Sequence, residues 1–149
     1  MKISRELLDE VVAHALADPG NEVCGVLAVS VEEGGARGDG QAQDGDVQAR
    51  AVRVLRATNV HASPLKFEID PKELLALYQE IEDEGHALGA IYHSHVRSKP
   101  YPSQTDINFA ANWPGVEWLI VGLAAGAEPQ ARSYLIEGGD VREVALEVS

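Results

Sequence analysis

The chain has 149 residues, 45% of them hydrophobic, enough for one domain (1–149) with a substantial core and too few for two of ordinary size. Twelve Lys and Arg stand against 24 Asp and Glu, and a net charge of −12 with no basic cluster excludes nucleic acid and anionic membrane surfaces as expected partners. No apolar run approaches the roughly 20 residues that cross a bilayer, the first residues lack a secretory signal, and the single cysteine, Cys24, cannot form an internal disulfide; the expectation is a cytoplasmic protein.

Residues 4–16 read as an amphipathic helix capped by Ser4, with Leu7, Leu8, Val11, Val12 and Ala15 on one apolar face and Asp18-Pro19-Gly20-Asn21 as its stop. Residues 22–29 read as a largely buried strand. Residues 32–48, rich in Gly, Asp, Gln and Ala, carry almost no large apolar side chain and are expected to form a mobile loop. Strands follow at 51–57 and, after the polar stretch Thr58-Asn59-Val60-His61-Ala62-Ser63-Pro64, at 66–69. Asp70 caps a second helix with Pro71 at its first position; Leu74, Leu75, Leu77, Tyr78 and Ile81 are its expected inner face, and Gly85 ends it. Residues 87–92 form a short apolar strand running into His93-Ser94-His95. A short helix opens at Ser103 or Thr105 and runs to Ala111. Three strands close the chain at 118–123, 131–136 and 141–148, the last two joined as a hairpin by Gly138, Gly139 and Asp140. No internal repeat is present. The sum is a mixed α/β domain with a sheet flanked by two or three helices.

The chemistry concentrates between Tyr92 and Asp106. Two histidines one residue apart on an extended chain project to the same side, so His93 and His95 can face one metal ion. Catalytic zinc takes three protein ligands from His and carboxylate and leaves a fourth position open. The loop containing Pro100 and Pro102 returns the chain so that Asp106, in the first turn of a helix, can be the third ligand. Ser103, at that helix start, is placed to donate to a developing oxyanion. A bare His-x-His is usually a wet strand end, and Ser-x-x-Asp is a common helix start; the conjunction His-x-His-x7-Ser-x-x-Asp carries the reading. Of the remaining histidines, His14 reads as a helix-surface residue and His86 as a loop residue, while His61 lies within reach of the site.

This pattern resembles the JAMM motif of the MPN-domain zinc metalloproteases, and the resemblance covers nearly the whole chain. The family's early-strand glutamate finds its match in Glu22-Val23-Cys24-Gly25-Val26-Leu27. The resemblance implies an MPN fold with a mixed, mostly antiparallel sheet, one zinc ion per chain on His93, His95 and Asp106, Glu22 as general base, and Ser103 as the stabiliser of the tetrahedral intermediate. Cys24, followed by Gly25-Val26-Leu27, reads as a small apolar strand residue, and Ser94 as a structural residue pointing away from the metal.

Ile91-Tyr92-His93-Ser94-His95, with a loop ending Pro100-Tyr101-Pro102-Ser103-Gln104-Thr105-Asp106, is similar to the compact bacterial Mec-type group. That likeness implies a ubiquitin-like sulfur-carrier protein as substrate, cut after its C-terminal Gly-Gly to release cysteine in cysteine synthesis. Two alternatives stay open: a non-catalytic MPN-type protein-binding scaffold, and a deconjugase that frees a ubiquitin-like modifier from protein lysines. For substrate contacts, Arg97 is expected to hold the carboxylate of a released amino acid. Asn59 is expected to lie on an exposed strand edge, residues 58–66, that pairs with the Gly-Gly tail. The oligomeric state is not legible.

Overall fold

In the computed structural model, which describes residues 1–33, 47–124 and 128–149, the order is β1 (Lys2–Ile3), α1 (Arg5–Ala17), β2 (Cys24–Glu33), β3 (Val47–Ala57), α2 (Pro71–Asp83), β4 (Ala87–His95), α3 (Gln104–Ala110), β5 (Glu117–Gly122), β6 (Gln130–Glu137), β7 (Asp140–Val144) and β8 (Glu147–Val148). The eight strands form one sheet in the order β7-β6-β5-β4-β2-β3-β1-β8. The long ladders β2/β3, β2/β4, β5/β6 and β6/β7 are antiparallel, and β4/β5 is parallel.

β4 sits at the centre, bonded to β2 on one side and β5 on the other, which is why it reads as a nearly unbroken apolar run. Its alternation sorts two cores. Ile91 shares a cluster with Trp118 and Ile120 of β5, Leu74 and Ile81 of α2 and Ala110 of α3. Ala90 and Tyr92, on the opposite face, pack with Leu119 and Val121 and with Leu8, Val11 and Ala15 of α1. One helix therefore covers one face and two helices cover the other. His93 and His95, in phase with Ile91, fall on the two-helix face. Gly25 of β2 is required opposite β4: a Cβ there would lie 2.4 Å from the Tyr92 ring.

Both helix caps expected from the sequence form: Ser4 Oγ accepts from Leu7 N–H and Asp70 Oδ1 from Lys72 N–H. The β6/β7 hairpin turns on Gly138 and Gly139, both at positive φ, as a two-residue primed turn needs. Five expectations are corrected. Residues 32–33 and 47–48 are paired strand and not loop, and residues 34–46, on which the mobile-loop reading otherwise falls, lie outside the described residues. Residues 66–69 form no strand; only an isolated bridge joins Asn59 and Ile69. Leu75 and Tyr78 of α2 are exposed, because only the arc holding Leu74 and Ile81 meets the sheet. The expected strand at 141–148 breaks at Ala145-Leu146, and its end, β8, crosses to pair with β1. His14 turns inward, its Nδ1 2.6 Å from the Tyr92 hydroxyl. Among the described residues no helix is long and apolar enough to cross a membrane.

Candidate active site

β4 carries both histidines into the interior; His93 is fully buried and His95 nearly so. α3 supplies the carboxylate through its first turn. Ser103 Oγ accepts the Asp106 N–H at 3.1 Å, and Asp106 Oδ2 accepts the Ser103 N–H at 2.9 Å, a reciprocal capping box that fixes the Asp106 rotamer. The same Oδ2 lies 3.0 Å from His93 Nε2 and 3.3 Å from His95 Nε2, and the two ring nitrogens lie 3.1 Å apart.

The ring orientations have separate causes. His95 Nδ1 donates to the Lys99 carbonyl at 2.8 Å; a carbonyl only accepts, so Nε2 of the neutral ring presents a bare lone pair to the cluster. His93 Nδ1 has no partner among the described residues. Its ring is held by Phe67, stacked at 4.4 Å between centroids and 23° from parallel.

Three acceptors crowded to about 3 Å are relieved only by a cation or by shared protons. Two imidazole nitrogens and a carboxylate oxygen are the donor set of catalytic zinc sites, so the residues present fit that ion. Burial alone would push the Asp106 carboxyl up, but His93, His95 and the Ser103 N–H outweigh it and hold it far below the usual carboxylate range. Burial keeps His93 below its ordinary value. For His95 burial also disfavours the charge, but the bonds to Asp106 and the Lys99 carbonyl prevail and raise it.

Glu22 approaches the histidine pair as a second carboxylate: one of its oxygens and a ring nitrogen of each of His93 and His95 all lie within 4.8 Å of one another. It is buried, and its carboxylate makes no hydrogen bond among the described residues. Desolvation pushes it from 4.5 up to about 7, with His95 pulling it down and Asp106 pushing it further up. Two carboxylates thus flank one histidine pair with different environments, Asp106 hydrogen-bonded and ionised, Glu22 desolvated and close to neutrality. Such a division separates a ligand from a proton carrier.

This difference has a measurable consequence in the metal-free protein. Between pH 4.5, where Glu22 ionises when unfolded, and about 7, where it ionises when folded, the folded chain binds more protons. The Glu22 contribution to stability therefore falls as pH rises across that window and levels off above it. Chelated Glu22→Gln protein should melt close to wild type at low pH and progressively above it up to about pH 8. A constant difference in melting temperature across the range would show that Glu22 is not raised.

Ser103 is exposed at the helix start; Asp106 N–H occupies a lone pair of its hydroxyl, and the hydroxyl hydrogen has no acceptor among the described residues. Arg97 is exposed on the loop between His95 and Ser103 and has no ion-pair partner among the described residues. Asn59, expected on a tail-binding edge, has its side chain turned into the loop. Its Nδ2 donates to the carbonyls of Glu22 and Lys66, both at 3.0 Å, and its Oδ1 accepts from the N–H groups of His61 and Glu68, both at 3.1 Å. With two donors and two acceptors engaged, the side chain has no capacity left for substrate. Within residues 58–66 the amides of Val60, His61, Ala62 and Leu65 are bonded within the loop and that of Thr58 to Glu73, so this stretch is not a continuous free edge. His61 lies on the rim of a cleft of about 470 Å³ that Asp106 and Phe67 also line. Ser94 points away from the cluster, as expected, and its Oγ accepts the Val23 N–H at 2.9 Å. Phe67 and the Lys99 carbonyl were not foreseen. A Lys-Phe-Glu-Ile alternation marks Phe67 as inward-facing, but nothing local says that it meets His93.

The chain matches the family described as prokaryotic homologs of the JAB domain over residues 4–137. It is 32% identical over 146 residues to the CysO-cysteine peptidase of Mycobacterium tuberculosis, covering 98% of this chain and 89% of that protein. It is 33% identical over 156 residues to the desampylase of Haloferax volcanii, covering 99% and 96%. Among solved structures, a Desulfitobacterium hafniense protein superposes with a TM-score of 0.78 at 29% identity, covering 99% of this chain and 92% of the other.

Proposed function

Because this chain belongs to the prokaryotic homologs of the JAB domain, we propose that it is a zinc-dependent peptidase that cuts after the C-terminal Gly-Gly of a ubiquitin-like sulfur-carrier protein and releases cysteine. The observation that carries the reading is the convergence of His93 Nε2, His95 Nε2 and Asp106 Oδ2 within 3.3 Å, with the desolvated Glu22 carboxyl beside them. The likeness to a CysO-cysteine peptidase along almost the whole chain supports the substrate class.

In this reading His93, His95 and Asp106 hold the ion, which when bound polarises the scissile carbonyl and acidifies the attacking water. Glu22 takes the proton from that water and returns it to the leaving amine. Desolvation raises the proton affinity of this carboxyl above that of an exposed one, which suits a group serving as base and then acid. The free hydroxyl hydrogen of Ser103 donates to the oxyanion. Arg97, unpaired on the ligand loop, pairs with the α-carboxylate of the released residue.

A second reading, deconjugation of a ubiquitin-like modifier from protein lysines, is favoured by the comparable identity to a desampylase. The two differ in charge at the leaving side: a terminal cysteine carries an α-carboxylate, and a lysine within a chain does not. A carrier ending Gly-Gly-Cys should be cleaved after its second glycine, and Gly→Val there should block cleavage. Arg97→Ala should raise KM by up to about fivefold for that carrier, the effect of losing one exposed charge pair's worth of binding, and leave a Gly-Gly isopeptide unaffected. Equal cutting of the valine carrier would overturn the Gly-Gly assignment; faster turnover of the isopeptide in wild type would favour the second reading.

A further inference from the structure

We propose that Asn59 is a positioning residue for Glu22, an inference that rests on Glu22 being the general base. Glu22 precedes β2, which begins at Cys24, so no sheet ladder holds its backbone. Its two flanking peptides are pinned by other means. The Glu22 N–H donates to the Ser63 carbonyl at 2.8 Å. On the following peptide, Asn59 Nδ2 donates to the Glu22 carbonyl at 3.0 Å while the Val23 N–H donates to Ser94 Oγ at 2.9 Å. Pinning the peptides on both sides of one Cα sets the direction of its Cα–Cβ bond, and for Glu22 that direction decides whether its carboxylate reaches the histidine pair.

Asn59 is the node of this clamp. Its other three hydrogen bonds, to the Lys66 carbonyl and from the His61 and Glu68 N–H groups, tie together the two limbs of the 59–68 loop. That loop also contributes Ser63, whose carbonyl holds Glu22, and Phe67, which stacks on His93. One amide therefore fixes the base and the ring of a metal-ligand histidine relative to each other. Asparagine suits the position because it offers two donors and two acceptors on a two-carbon stem. Aspartate has no donor, and glutamine would displace the loop by a methylene.

The test is a double-mutant cycle on the zinc-loaded protein with the Gly-Gly-Cys carrier as substrate. Asn59→Asp keeps the oxygen that accepts from His61 and Glu68 and replaces the donor shared by the Glu22 and Lys66 carbonyls with an oxygen. It should lower kcat by about tenfold or more, the scale of a misplaced catalytic group, with KM and zinc content unchanged. In a Glu22→Gln background the same substitution should lower kcat much less, because the larger part of its effect runs through Glu22. A loss of equal size in both backgrounds, or a loss that tracks zinc content, would overturn the positioning role while leaving Glu22 as the base. Glu22→Gln turning over at the wild-type rate would instead overturn the base assignment. If Asn59→Asp does not fold, Asn59→Ser, whose shorter side chain withdraws the donor from the Glu22 carbonyl without adding charge, carries the same cycle and the same outcomes.

Discussion

Asp106→Ala should yield a zinc-free protein with no measurable hydrolysis of a Gly-Gly-Cys carrier, and the same protein should be less stable by about 1 kcal/mol before metal is considered. The two losses have different origins in one carboxylate. Oδ2 is 3.0 and 3.3 Å from the two histidine nitrogens, and it is also the acceptor for the Ser103 N–H at the start of α3. Removing a cap acceptor costs on the order of 1 kcal/mol, whereas removing one of three ligands removes the site. Asp106→Asn separates them. An amide oxygen still accepts from Ser103, so the cap survives and the melting temperature should return most of the way, but the charge that gathers the cation is gone and zinc should not. His93→Ala should also lose zinc and activity together, through a ligand with no capping role. Full activity in any zinc-free preparation would sink the metallopeptidase reading entirely.

Glu22→Gln is expected to do the opposite: zinc content near one per chain, with turnover reduced at least the roughly hundredfold typical of a lost general base. The substitution is nearly isosteric, and the Glu22 carboxylate makes no hydrogen bond among the described residues, so neither the fold nor the ligand set should register it. Stability in the absence of metal should rise at neutral pH, because a buried group that burial holds near 7 is replaced by one that never ionises. A variant that is slow, takes up zinc normally and is slightly more stable when stripped of it is the signature of a group kept for chemistry against its own solvation. Wild-type turnover would show that the proton is carried elsewhere.

The convergence of His93, His95 and Asp106 was legible because it is encoded locally, whereas Glu22 came into view only through the family resemblance. A two-residue spacing puts His93 and His95 on one strand face, and a Ser-x-x-Asp helix start aims Asp106 at them. What escaped depends on partners distant in the chain. Leu75 and Tyr78 fit the helical period of α2 as well as Leu74 and Ile81 do, but the period cannot say how much of an apolar arc the sheet covers; the uncovered part lines a cleft with Phe109 and Trp113 of the α3 region. β1 and β8 are two residues each, too short to show any alternation, and exist because β1 pairs with β3 on one side and β8 on the other. Asn59 sits in a segment with no periodicity at all. Its role follows from hydrogen bonds to residues seven, nine and thirty-seven positions away, a pattern no local reading of an asparagine contains.

Tyr92 and Gly25 bear on when the site comes into being. The tyrosine ring occupies the space a Cβ at position 25 would need, so β2 and β4 fit side by side in one register. A slip of one residue would collide that ring with Cys24 or Val26 and turn both histidines toward α1. The interlock lies among apolar side chains on the face of the sheet remote from the ligands, where no ion contributes. The spacing of the two imidazoles thus follows from the sheet register alone. At the proposed site, uptake of an ion would be docking into a socket already built, with little ordering entropy left to lose. In this respect the chain stands at the far end from small domains that remain random coils until zinc arrives.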